Sequence, residues 1–224
     1  MRNVEKKACI LNSFIVVLEV AAITWMISGI SDGALSISGL RSLRYFTVDS
    51  NILLGIFALI AAMDERQVWL GRKADVSSAS ILLKHIGTVG VTLTMLVTVF
   101  YLTPSTLQKY GLLGMYKGSN FLLHLVNPIL AIIVFLRYER TPRLAFRHTF
   151  TGIIPMLIYT VYYVAEAIRH SKNGVISPGY DWYGFFFNGV QSAIVMVPLL
   201  IAITYAISFV LWRINRIKEA VEES

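Results

Sequence analysis

Cysteine is all but missing from this chain. Cys9 stands alone among 224 residues, which excludes an internal disulfide and a multi-cysteine metal site. Charge is sparse as well, with Asp, Glu, Lys and Arg together at 15%. No glycine-rich phosphate loop of the Walker type, no low-complexity tract and no stretch resembling a soluble domain occurs. The halves of the chain show no repeat of each other, so the inverted-repeat signature of many transporters is missing. The net charge of +7 could suggest a nucleic-acid partner, but the basic residues are scattered between apolar runs and form no patch, so none is expected.

What the chain has is apolar sequence in long runs. Hydrophobic residues make up 56%, above the roughly 45–50% of ordinary soluble domains. Six runs, at about 8–30, 43–63, 80–103, 120–136, 150–168 and 186–212, each approach the roughly 20 residues that a bilayer core requires. The first is too long for a signal-peptide core and lacks a small-residue cleavage site, so it reads as a membrane helix. The expected fold is an all-α integral membrane bundle of six transmembrane helices, forming one domain over 1–224. Fourteen Lys and Arg fall on the side of the N-terminus, against six on the other, and this predicts that both termini are cytoplasmic. Tyr101, Tyr110, Tyr116, Tyr180, Trp182 and Tyr183 fall in the outer loops, as an interfacial aromatic belt would. Ser177-Pro178-Gly179 reads as a turn in the last outer loop.

Polar residues inside the spans then acquire a depth. Thr47, Ser50 and Asn51 share one face where the second span begins, because they are spaced i, i+3 and i+4. Asp49 points elsewhere, toward Arg44 or the headgroups. His124 and Asn127 lie near the start of the fourth span. Tyr159, Tyr162, Tyr163 and Glu166 make a face late in the fifth, and Asn188, Gln191 and Ser192 another where the sixth begins. All of these occupy about the first 10 Å below one interface. The other halves of the spans read as apolar, apart from threonines of the third span and Glu19 in the first. His85, His148 and His170 read as interfacial. The pattern predicts a pocket opening toward the outer leaflet rather than a continuous channel.

Each polar residue also has a structural reading. Threonines in membrane helices bond their own i−4 carbonyls, and asparagines join helices. Tyrosine faces pack at interfaces, and Glu166 can pair with Arg169 one turn on. His124 stands apart, because an ionisable ring within a span points to function by default. Pro128, four residues later, removes the helical partner of the His124 carbonyl. No second histidine shares its face, so neither a metal nor another cofactor is expected.

Phe46-Thr47-Val48-Asp49-Ser50-Asn51 and Phe121-Leu122-Leu123-His124-Leu125-Val126-Asn127-Pro128 together resemble motifs of the androgen-induced protein family of six-helix membrane proteins and its bacterial relatives. Pro128 lies one residue nearer the histidine than in the eukaryotic pattern. The eukaryotic members hydrolyse fatty acid esters of hydroxy fatty acids with an intramembrane threonine and a histidine. The resemblance therefore implies a lipid ester hydrolase in a bacterial cytoplasmic membrane, with Thr47 as nucleophile and His124 as base. Ser50, Asn51, Asn127, Tyr162, Tyr163, Glu166, Asn188 and Gln191 are the candidates for substrate binding or support. The expected partners are membrane lipids or lipid esters. The alternative is a non-catalytic lipid or small-molecule binding protein, or a transporter, using the same pocket.

Overall fold

The computed structural model describes residues 2–30, 39–139, 144–177, 179–186, 189 and 191–222. Six long helices account for about three quarters of it: α1 (Arg2–Ser28), α2 (Phe46–Trp69), α3 (Ser78–Tyr110), α4 (Ser119–Tyr138), α5 (Phe146–Arg169) and α6 (Ala193–Glu222). Each contains a stretch long and apolar enough to cross a membrane, so the expected all-α class holds. A two-residue-per-strand hairpin, β1 (Ser171–Lys172) and β2 (Val175–Ile176), is the only sheet among the described residues.

The bundle is assembled around α3, whose apolar stretch is the most buried of the six. Small residues let α2 come close to it. A Cβ on Gly87 would lie 3.1 Å from the Leu54 Cα, and one on Gly90 would lie 3.2 Å from the Ser50 Cβ. Such small-residue contacts are the usual means by which apolar helices pack when no hydrophobic difference separates core from surroundings. Gly152 does the same for α5 against Ser208 of α6, with 2.5 Å to the Ser208 hydroxyl. Outward faces remain apolar, as Val17, Phe100, Ile158, Val161 and Ile194 illustrate, each more than 60% exposed.

Two helices carry a widened turn at the same end of the bundle. In α3 the π turn is Thr98–Leu102, and in α4 it is Leu122–Val126. Both stop next to a proline, Pro104 or Pro128. A proline ring offers no N–H and crowds the carbonyl four residues back, so the helix relaxes to a wider hydrogen bond. The Thr103 amide accordingly bonds the Thr98 carbonyl, and the Asn127 amide bonds the Leu122 carbonyl.

Several expectations are corrected. The second helix starts at Phe46 rather than 43, because Gly39–Arg44 form a 3-10 turn. The sixth starts at Ala193 rather than 186, so Gln191 and Ser192 lie in a turn before it and not on a helical face. The cause is Asp181, whose carboxylate accepts the Phe185 and Phe186 amides at 3.0 Å each and also the Tyr163 hydroxyl. Gly184 and Gly189, at φ of 68° and 70°, complete this non-helical stretch. It turns Phe185 and Phe186 into the core. Tyr183 likewise leaves the expected outer belt and turns its hydroxyl inward, where the Phe46 amide donates to it at 2.9 Å. His85 is fully buried rather than interfacial, and so is Lys84, one of the basic residues counted as flanking the spans. Asn188 and Pro178 lie outside the described residues.

Candidate functional site

At the end where α2, α4 and α6 begin, a cavity of about 40 Å³ lies between α2, α3, α5, α6 and the stretch before α6. Thr47, Thr94, Thr98 and, from α5, Thr160 are its threonines, and its remaining lining is mainly aromatic and aliphatic, including Tyr159, Tyr163, Phe186 and Met196. A water needs about 10–15 Å³, so the cavity holds only a few waters in this conformation.

His124 lies behind the cavity wall. Its Nδ1 is 2.8 Å from the Thr98 Oγ1, in a pair of which both members are buried. The two π turns are what bring them together, since Thr98 opens one and His124 is the middle residue of the other. A threonine at the cavity wall, with an imidazole nitrogen at hydrogen-bond distance from its hydroxyl, has the separation required of a nucleophile and its base. Among the described residues no carboxylate is hydrogen-bonded to the ring, so the arrangement is a pair rather than a triad.

Thr98 is the residue that sequence reasoning missed. The third span was noted for its threonines, but nothing in the spacing singled this one out. The signal lay in position along the run: Thr98 is near the end of its helix at which α2, α4 and α6 begin, level with Thr47 and His124. Thr47 itself is buried at the cavity wall and makes no hydrogen bond to His124. Its polar neighbour is Tyr183, whose phenol group burial pushes up to about 12. Tyr183 therefore stays protonated and can donate.

Asn51 connects the two motifs. Its amide donates to the Thr47 carbonyl at 2.7 Å and to the Leu123 carbonyl at 3.2 Å. In a regular helix the Asn127 amide would serve Leu123, but in the π turn it serves Leu122. Asn51 thus satisfies a carbonyl that the widened turn sets free, and both of its amide hydrogens are committed. Ser50 hydrogen-bonds the Thr94 hydroxyl at 3.1 Å and the Thr47 carbonyl. These two residues hold the wall together.

The remaining candidates disperse. Tyr163 lines the cavity but spends its hydroxyl on Asp181. Glu166 sits near the surface, 3.8 Å from Arg169 and 3.7 Å from His170. Asn127 is fully buried, and its polar neighbour is Glu19. Gln191 is exposed beside α6. Tyr162 faces a second space, a groove of about 510 Å³ on the flank of the bundle, together with Asp49, Leu53, Phe57 and Ile158. Phe46 and Tyr159 line both the groove and the cavity, and their rings are 5.2 Å apart. They form the partition between the two.

No family model, curated protein or solved structure matches this chain.

Proposed function

We propose that this chain is an integral membrane hydrolase of lipid esters, with both termini cytoplasmic, seated in a bacterial cytoplasmic membrane. Two observations support the membrane setting. Apolar side chains are exposed on the outward faces of the helices, where water would disfavour them. Basic residues remain asymmetric even when buried Lys84 is set aside, with thirteen on the N-terminal side against six.

The observation that carries the activity is the Thr98–His124 hydrogen bond at the cavity wall. In the proposed reaction His124 Nδ1 takes the proton of a threonine hydroxyl as its oxygen attacks the ester carbonyl carbon. The alcohol leaves with that proton, and an acyl-threonine remains. Water, deprotonated by the same imidazole, then releases the acid. The protonated Tyr183 hydroxyl is the proposed donor to the carbonyl oxygen as charge develops there.

Thr98 is the nucleophile that the geometry favours. The motif resemblance favours Thr47 instead, and in that second reading Thr98 passes the proton to His124. The ester reaches the cavity from the flank. The groove opens beside the exposed apolar faces and is large enough for an acyl chain, whereas the cavity is not, so Phe46 and Tyr159 must part to admit the carbonyl.

Labelling with a fluorophosphonate or a lipid-ester probe, followed by mapping of the adduct, tests all of this. An adduct on Thr98 that is lost in Thr98→Val supports the first reading, and one on Thr47 supports the second. A folded protein that takes no adduct and turns over no ester leaves the non-catalytic binding or transport alternative.

A further inference from the structure

The opposite end of the bundle, where the other halves of the spans read as apolar, encloses a cluster that the hydrolase reading does not use. Asn12 of α1, Glu65 of α2, Lys84 of α3 and Glu139 just past α4 converge there, and none is more than 7% exposed. The Asn12 amide nitrogen lies 3.0 and 3.1 Å from the two Glu65 oxygens and 3.0 Å from Glu139 Oε1. One amide group thus bridges two carboxyl groups. Lys84 Nζ is 2.5 Å from the Asn12 carbonyl oxygen and 3.8 Å from Glu139 Oε1. The other oxygen of Glu139 is buried and has no hydrogen-bond partner among the described residues.

The charges do not balance. Two ionised carboxylates against one ammonium leave a net negative charge in a site closed to water. A buried, uncompensated charge costs several kcal/mol, and neighbouring carboxylates resist ionising together. Among the described residues, surrounding groups do not repair this. On α2, Asp64 is occupied by Lys73, Ser77 and Ser80, and adds negative charge beside Glu65. On α1, Cys9 is uncharged, and Glu19 draws on the same Lys84. On α3, His85 turns to the Ser208 hydroxyl of α6. Asn215 of α6 donates to the Phe135 and Glu139 carbonyls and fixes the backbone. Lys84 is the cation whose field reaches both carboxyl groups.

We propose that Asn12, Glu65, Lys84 and Glu139 form a proton-binding site, in which Glu65 and Glu139 share one exchangeable proton and Lys84 balances the remaining charge. Glu139 is the most exposed of the four, so the proton enters and leaves there. Burial pushes the Glu139 carboxyl up in the same sense. The ligand is the proton rather than a metal ion, because Lys84 already occupies the cation position. This site is independent of the threonine chemistry at the other end.

Infrared spectroscopy of the full chain in lipid nanodiscs tests it, with Glu19→Gln as the reference chain so that the fully buried Glu19 carboxyl does not contribute. At neutral pH, where exposed carboxyls are ionised, the reference should show a protonated-carboxyl carbonyl band that shifts in deuterium oxide. Glu65→Gln and Glu139→Gln should each remove one carboxyl's worth of that band, because the surviving carboxylate then balances Lys84. Lys84→Met should instead increase it about two-fold. Should a variant not fold, titration of the reference chain alone decides, since its band must be present at neutral pH and vanish on alkalinisation. Absence of the band from the folded reference chain overturns the proposal. So does a band unaltered in folded glutamine variants, or one displaced by sodium at fixed pH.

Discussion

The hydrogen bond between Thr98 and His124 makes a quantitative prediction. Thr98→Val keeps the shape of the side chain and removes its hydroxyl, leaving the Nδ1 of a buried imidazole without a partner. Stranding a buried polar group costs about 1–3 kcal/mol. His124→Leu is less symmetric, because the Thr98 hydroxyl it abandons can fall back on a carbonyl of its own helix, as membrane threonines do. The coupling between the two substitutions isolates the bond itself. Hydrogen bonds in membrane bundles average about 0.6 kcal/mol and reach about 1.7. At 2.8 Å and with both partners buried, this one belongs in the upper half, so a coupling of about 1 kcal/mol is expected. The assay is detergent-driven equilibrium unfolding of wild type, both single variants and the double variant. Stabilities that add to within about 0.3 kcal/mol would refute the pairing. Turnover of a lipid ester supplies the second readout. Residues acting as one catalytic unit are non-additive, so both singles and the double should share one residual rate. A double variant far slower than either single would refute the pair as a catalytic unit even if the stability coupling held.

Two further outcomes are expected. In a Cys9→Ala background, cysteines at Lys117 or Lys172 should react with an impermeant thiol reagent outside intact cells, and one at Arg72 should not; the reverse pattern would invert the topology. Tyr183 is held protonated up to about 12 in the folded state, against about 10 for an unfolded tyrosine. Its raised value adds stability that is fully present below about pH 10 and is lost as pH rises toward 12. Tyr183→Phe should therefore flatten the alkaline end of the stability profile measured by equilibrium unfolding, and an unchanged slope would refute the inward placement of its hydroxyl.

The number and type of the helices were legible in the chain itself, because a run of some 20 apolar residues has few structural alternatives. The depth of Thr47 and His124 was legible for the same reason: helical rise converts position in a run into distance along the axis. That Pro128 disturbs the helix beside His124 could also be anticipated. The carbonyl left to another partner, however, is that of Leu123, because the π turn shifts the pairing by one residue. What sequence could not supply was rotation about each axis and the pairing of helices across the bundle. Periodicity groups Thr47, Ser50 and Asn51 on one face, but only packing decides that Ser50 meets Thr94 and Asn51 meets the Leu123 carbonyl. The partner of His124 was undetermined because it lies 26 residues away on a neighbouring helix, brought into reach by a second π turn. Local apolarity misled at Phe186, where Asp181, four and five residues back and held by Tyr163, captures two backbone amides and outweighs helical propensity. Lys84 misled most. A lysine near the end of an apolar run belongs to the loop by composition, and only the convergence of Asn12, Glu65 and Glu139 from three other elements makes its full burial tolerable.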